Sequence, residues 1–337
     1  MSPETVVVTG ASAGVGRAVV RAFARRRAHI GMIARGVDGL KAAASEVEAI
    51  GGRALVLPTD VADADAVESA AEAVERQFGP IDLWINCAMA TIFAPLHMIT
   101  PEEYRRATEV TYLGYVYGTM AALKRMRPRN HGTIVQVGSA LAYRAIPLQS
   151  PYCGAKHAIR GFTDSLRSEL IHDGKNVHLT MVQMPALNTP QFDWARNKMR
   201  HRPQPVPPIF EPEVAAEAIV FAAHARRREV FVGGSTVEAI WGNKIAPGLL
   251  DRWLARHGYS AQMTREPASH DGADNLYTPV AGDHGARGRF GNRARSMSAE
   301  LWIARNRNYL VAGGLGLAGL FAGALLGRRR LQLPSSA

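Results

Sequence analysis

The sequence predicts an α/β fold: a doubly wound parallel sheet of seven strands, followed by a C-terminal extension that ends in a membrane-spanning helix. Three observations carry this expectation. Short apolar runs alternate with amphipathic segments through the first 233 residues, a glycine-rich turn closes the first run, and a long uncharged stretch stands near the C-terminus. Short strands joined by helices are βαβ units, which force neighbouring strands to run parallel.

The elements follow in order. Thr5-Val-Val-Val-Thr9 is a β-branched run for a buried strand, and the glycine turn after it opens a helix over 16–27. Ile30–Ala34 reads as a second strand, 37–50 as a helix and Ala54–Leu57 as a third strand. Helix 63–78 leads to strand Ile81–Asn86, and a long helix over 101–127 leads to strand Thr133–Val137. Helix 151–172, strand Val177–Val182, a proline-rich loop, helix 211–225 and strand Glu229–Val232 complete the series. In such a sheet the ligand crevice lies at the carboxyl ends of the strands.

Composition narrows the function. A chain of 337 residues with 47% hydrophobic and 20% charged residues buries a large core, which excludes disordered and collagenous classes. Two cysteines, Cys87 and Cys153, exclude a disulfide framework, and eleven histidines without metal-ligand spacing suggest no metal site. The net charge of +11 is uneven. Residues 1–233 hold 27 Lys and Arg against 22 Asp and Glu, whereas residues 234–337 hold 13 against 7. A basic tail beside an apolar run points to anionic lipid rather than to nucleic acid. The N-terminus lacks the basic region and cleavage site of a signal peptide, so a cytoplasmic catalytic domain is expected.

Three motifs carry chemistry. Thr9-Gly10-Ala-Ser12-Ala13-Gly14-Val15-Gly16 lies between a strand and a helix, where glycines let the backbone approach a pyrophosphate at the helix N-terminus. Arg35 follows the second strand, where an acidic residue would bind a ribose 2′-hydroxyl; its guanidinium suits the 2′-phosphate of NADP instead. Tyr152 and Lys156 stand four apart on a helix and so share a face, and Ser139 ends the fifth strand. An ammonium beside a phenol moves it toward use as a general acid or base, and a serine hydroxyl can hold the substrate oxygen.

With these residues the chain resembles the short-chain dehydrogenase/reductase family, in its NADP-preferring form, over about residues 4–235. The resemblance implies a Rossmann-like domain over 1–235, binding NADP(H) and assembling as a homodimer or homotetramer. It gives Gly10, Gly14 and Gly16 to the cofactor turn, and Asp60 and Val61 to the adenine. Asn86 and Ala88 would close the fourth strand, and Pro185 and Thr189 would meet the nicotinamide. Ser139, Tyr152 and Lys156 would be catalytic, Tyr152 exchanging a proton with the substrate oxygen. Three positions depart from the family pattern. Thr111 stands where an asparagine holds a relay water, Met89 where the strand-four motif has glycine, and Ala186 where a glycine follows the proline.

The pocket wall is expected from Met89, Leu141, Tyr143, Leu148, Met184 and Leu187, joined by Phe192, Trp194 and the loop 203–208, which suits a small apolar carbonyl or alcohol. Residues 236–260 read as an amphipathic or lid segment, or as a helix packed on the core. Residues 261–307 read as a flexible basic linker. Residues 308–330, with the uncharged run Tyr309–Gly327 closed by three arginines, read as a membrane anchor; a helix buried in an oligomer and a loose tail are the alternatives. The sequence thus suggests a membrane-anchored NADPH-dependent reductase, against a membrane-tethered NADPH-binding regulator with weakened catalysis or a basic binder acting through the tail alone.

Overall fold

The computed structural model describes residues 3–268 and 273–307. Seven parallel strands form the main sheet: β1 (Thr5–Thr9), β2 (His29–Ala34), β3 (Arg53–Pro58), β4 (Leu83–Asn86), β5 (Gly132–Val137), β6 (Val177–Gln183) and β7 (Glu229–Phe231). Their spatial order is β7-β6-β5-β4-β1-β2-β3. The chain winds outward from β1 through β2 to β3, then returns to β4 and winds the other way. The switch point therefore lies between β1 and β4, where a crevice opens beyond the strand ends.

Alternation along β1 divides the core. Val6 and Val8 face helices α1 (Gly14–Ala24), α2 (Val37–Ala49) and α7 (Pro212–His224), packing with Val19, Phe23, Leu40 and Ile219. Val7 faces the opposite layer with Ile33, Trp84 and Ile134, against α3 (Ala64–Phe78), α5 (Gly114–Arg129) and the end of α6 (Ser150–His172). Local chemistry sets the helix starts. Asp63 caps α3 by accepting from the Ala66 N–H at 3.0 Å, and Thr100 and Glu103 form a capping box on α4 (Pro101–Thr108). The long helix expected over 101–127 is interrupted by a π-helical turn at Glu109–Leu113, between α4 and α5.

A buried polar cluster ties the layers together under β4. The Trp84 indole N–H donates to Asn86 Oδ1 at 2.9 Å, and Asn86 Nδ2 donates to Gln136 Oε1 at 2.9 Å and Thr119 Oγ1 at 3.1 Å.

The extension departs from its expected organisation. Helices α8 (Gly234–Ile245) and α9 (Pro247–Ala261) follow β7, and strand Met263–Pro267 pairs antiparallel with His201–Pro203. Residues 273–307, read above as a flexible linker, lie on the catalytic domain and bury Leu276, Ala286, Phe290 and Leu301 in its clusters. The expectation of membrane anchoring is corrected: among the described residues no helix is long and apolar enough to cross a membrane. The segment 308–330, on which that anchor and its lipid contact rested, lies outside the described residues.

Asn86→Leu should leave the Trp84 indole and the Gln136 amide short of partners in the core. We expect a loss of about 2–4 kcal/mol of unfolding free energy in a urea titration.

Candidate active site

The site begins where β1 meets β4. The Thr9 hydroxyl accepts from the backbone N–H of Cys87 at 2.9 Å and of Ala88 at 3.1 Å, clasping the two strand ends. Gly10 has φ +71°, and a Cβ there would stand 2.9 Å from Ala88 Cα. A Cβ on Gly16 would stand 2.1 Å from the Gly10 carbonyl oxygen, so the turn closes on itself only with glycine. Helix α1 then starts at Gly14 behind Ala13, whose side chain caps nothing. Its first-turn amides thus have no side-chain cap and offer donors to an anion.

Arg35 leaves the end of β2 and is held by backbone carbonyls alone. Its guanidinium donates to the carbonyl oxygens of Tyr277 at 2.8 Å, Leu276 at 3.3 Å and Asn275. Burial pushes its pKa down, partly offset by Asp60 nearby, but the Asp60 carboxylate is itself paired with Arg106. Arg35 is therefore a desolvated cation without a carboxylate of its own.

One cavity of about 420 Å³ joins these features. Gly10, Ser12, Ala13, Gly14, Val15 and Gly16 line it at one end, with Arg35, Asp60, Val61 and Ala88. Ser139, Tyr152, Lys156, Pro185 and Thr189 line it further along, and the Thr189 Cβ would lie 3.5 Å from a Cβ on Gly14. The glycine cradle, a helix N-terminus without a side-chain cap and a guanidinium without a carboxylate partner fit a phosphorylated dinucleotide.

Two residues expected here lie elsewhere. Asn86 is wholly buried in the polar cluster beneath β4 and does not line the cavity. Thr111 is also wholly buried, its hydroxyl accepting from the Ala90 N–H at 2.9 Å and donating to the Ala90 carbonyl at 2.8 Å. That hydroxyl, with one bond given and one accepted, pins the segment after β4.

The proton-bearing groups come from β5 and α6. Ser139 Oγ accepts from the Leu141 N–H at 3.1 Å, which leaves its proton to donate. Burial pushes the Tyr152 phenol up, opposed by the Ser139 hydroxyl. Lys156 is 2% exposed and donates to the Val137 carbonyl at 2.7 Å and to the Tyr115 hydroxyl at 3.1 Å. Its nitrogen lies 5.4 Å from the centre of the Tyr152 ring, and burial lowers its pKa to about 8. Tyr115 is a residue that sequence reasoning missed. It sits four positions after Thr111, wholly beneath α6, and donates its own proton to Val137 at 3.0 Å. Cys87 and Cys153 are pushed up to about 12 and about 11 by burial, so neither is a thiolate suited to redox switching.

Met89, Leu141, Met184 and Leu187 line the apolar end with Phe192 and Trp194. Tyr143 and Leu148 do not. Tyr143 turns to the far side, where its hydroxyl donates to Glu229 at 2.5 Å under the Arg160 guanidinium. Leu148 has φ +69° and packs away from the cavity in the turn before α6. Trp253, Leu254 and Gly258 of α9 close this end instead, and the Gln149 amide donates to Gln262 at 2.7 Å beside them. The apolar spacing of 236–260 was the available signal, and it leaves the direction of the apolar face open.

A family model described as short chain dehydrogenase matches residues 4–200. The chain is 30% identical over 332 residues to the uncharacterized oxidoreductase YxnA of Bacillus subtilis (strain 168), covering 98% of this chain and 92% of the relative. It is 26% identical to 17-beta-hydroxysteroid dehydrogenase 13 of Mus musculus, covering 83% and 85%. Among solved structures, a metagenomic short-chain oxidoreductase in complex with NADP aligns with a TM-score of 0.58 and 26% identity, over 69% of this chain and 97% of that one.

Removing the Tyr115 acceptor disfavours the charged form of Lys156. Tyr115→Phe should move the Lys156 pKa below about 8, read from the pH dependence of its ε-methylene resonance in selectively labelled protein.

Proposed function

From the premise that the chain belongs to the short-chain dehydrogenase family, we propose that it is an NADPH-dependent reductase of an apolar carbonyl compound, with Tyr152 as proton donor. The observation that carries this reading is a single cavity lined both by the glycine turn with Arg35 and by Ser139, Tyr152 and Lys156. The enzyme is an NADP-dependent oxidoreductase acting on CH–OH or C=O groups. The direction and the substrate class are the parts proposed.

Arg35 would hold the 2′-phosphate, and the first turn of α1 the pyrophosphate. When bound, the nicotinamide supplies hydride. The protein's own groups supply the proton. Tyr152 stays neutral because burial raises its pKa, so it enters the reaction protonated, as carbonyl reduction requires. Ser139 donates its free proton to the same substrate oxygen, sharing the negative charge that develops there. The Lys156 ammonium stands by the phenolate that forms, fixed from behind by Tyr115 and Val137. Below a pH of about 8 this cation is in place, and above it the support is lost. Thr111, bonded to Ala90 and wholly buried, positions the segment after Met89.

The apolar wall of Met89, Leu141, Met184 and Leu187 under α9 supports an apolar substrate, and a relative named for a hydroxysteroid is consistent with it.

Tyr152→Phe should lower kcat for NADPH-linked reduction of apolar ketones or aldehydes by about 10²–10⁴-fold, with the NADPH dissociation constant unchanged by fluorescence titration. Unchanged turnover would overturn the assignment. Arg35→Ala should weaken NADPH by about 10–100-fold. NADH should change far less, so the ratio of the two losses is the reading that tests the 2′-phosphate seat.

A further inference from the structure

Both donors assigned to cofactor phosphates are already held by the chain itself. The Gly14 N–H donates to the Gly285 carbonyl at 3.0 Å, and Arg35 donates to the carbonyls of Asn275, Leu276 and Tyr277. The segment between these contacts runs across the cofactor groove. Asn275, Pro279, Val280, Gly282 and His284 line the same cavity as the glycine turn. It is pinned at two buried points, Leu276 and Ala286, and the residues between them are exposed or half-buried. Four side-chain contacts hold that span, one of them the Arg196 guanidinium 5.1 Å from the centre of the Tyr277 ring. The Gly282 N–H donates to Asp38 at 3.1 Å, Asp283 pairs with Arg17 at 3.3 Å, and His284 stacks edge-on against Trp194.

We propose that Tyr277–Gly285 is a strap that gates the dinucleotide site, exchanging the Tyr277 carbonyl at Arg35 and the Gly285 carbonyl at Gly14 for the phosphates of the cofactor. The inference rests on the NADP(H) reading above. Neutral carbonyls are weaker acceptors than phosphate oxygens at a guanidinium or a helix N-terminus, so the exchange runs toward the cofactor once the span lifts. Lifting breaks the contacts of Tyr277, Gly282, Asp283 and His284, while Leu276 and Ala286 stay seated. The gate thus couples cofactor entry and exit to the C-terminal extension, which lies beyond the residues that the family model matches.

The geometry supplies its own test. A Cβ on Gly36 would lie 3.6 Å from the Cβ of Pro279, within the separation of a disulfide, and the two native cysteines are buried. Gly36→Cys with Pro279→Cys should therefore clip the strap to the end of β2 on oxidation. Stopped-flow fluorescence of NADPH uptake should slow by at least about tenfold in the oxidised protein and recover on reduction. Uptake at the reduced protein's rate, with the cross-link verified by mass, overturns the gate and leaves the cofactor reading standing. Absence of NADPH binding in the unmodified protein overturns both. Asp38→Ala provides an independent arm that does not depend on cross-linking, since Asp38 is exposed and, among the described residues, its side chain bonds Gly282 alone. It should speed NADPH association and dissociation alike by about threefold, and unchanged rates in both directions count against the gate.

Discussion

The close approach of β1 to β4 is the constraint on which the rest of the site depends. The Thr9 hydroxyl binds two consecutive amides at the end of β4, and Gly10 leaves β1 with a backbone that no side chain could follow past Ala88. Because Gly16 must then lie against the Gly10 carbonyl, the start of α1 is fixed over the switch point with its uncapped amides facing the crevice. Any Cβ at these two glycines would push α1 off the sheet, and with it the helix that buries Val19 and Phe23. Core packing and anion binding are here consequences of the same backbone path.

The proton-bearing end has a comparable economy. Lys156 carries a buried charge, which is costly unless its protons are used. Val137 and Tyr115 take two of them, and the Tyr115 hydroxyl returns its own proton to Val137, so the triangle closes without solvent. That arrangement gives a physical sense to the threonine at position 111. With the hydroxyl of Thr111 turned to Ala90, the lysine takes its support from a tyrosine one helical turn onward, across the π-helical bend.

The sheet was legible because a parallel, doubly covered strand has to be apolar throughout and its helices have to be amphipathic, and both patterns survive in the order of residues. Gly10, Arg35, Ser139, Tyr152 and Lys156 were picked out by residue type and spacing, and the structure brings them to one cavity. Asn86 and Thr111 were misread because a motif gives a position in the chain, whereas burial decides which way the side chain turns. Tyr143 failed for the same reason, one turn past Ser139 but facing Glu229. The strap left little trace. Its grip on Arg35 and Gly14 uses backbone carbonyls, which every residue has, and the glycines and aspartates that let it bend are also those of a linker.

Charge in the extension has a different meaning once its partners are known. Arg287 meets Glu213 at 3.0 Å, Arg289 meets Asp193 at 2.9 Å and Glu266 at 2.7 Å, and Arg305 meets Glu217 at 3.3 Å. In the reverse sense, Asp274 and Asp283 meet Arg196 and Arg17 of the domain. The exposed pairs among these, such as Arg305 with Glu217, contribute about 0–1 kcal/mol each, so they select a register more than they supply strength. The strength comes from Leu276, Ala286, Phe290 and Leu301, which seat in three clusters of the domain, Ala286 and Leu301 in the same one. Between the first two of these pins no residue is buried, and that interval is the one lying over the phosphate seats. A docking scheme with buried points outside the groove and only exposed or half-buried residues across it lets the extension stay folded while the groove opens.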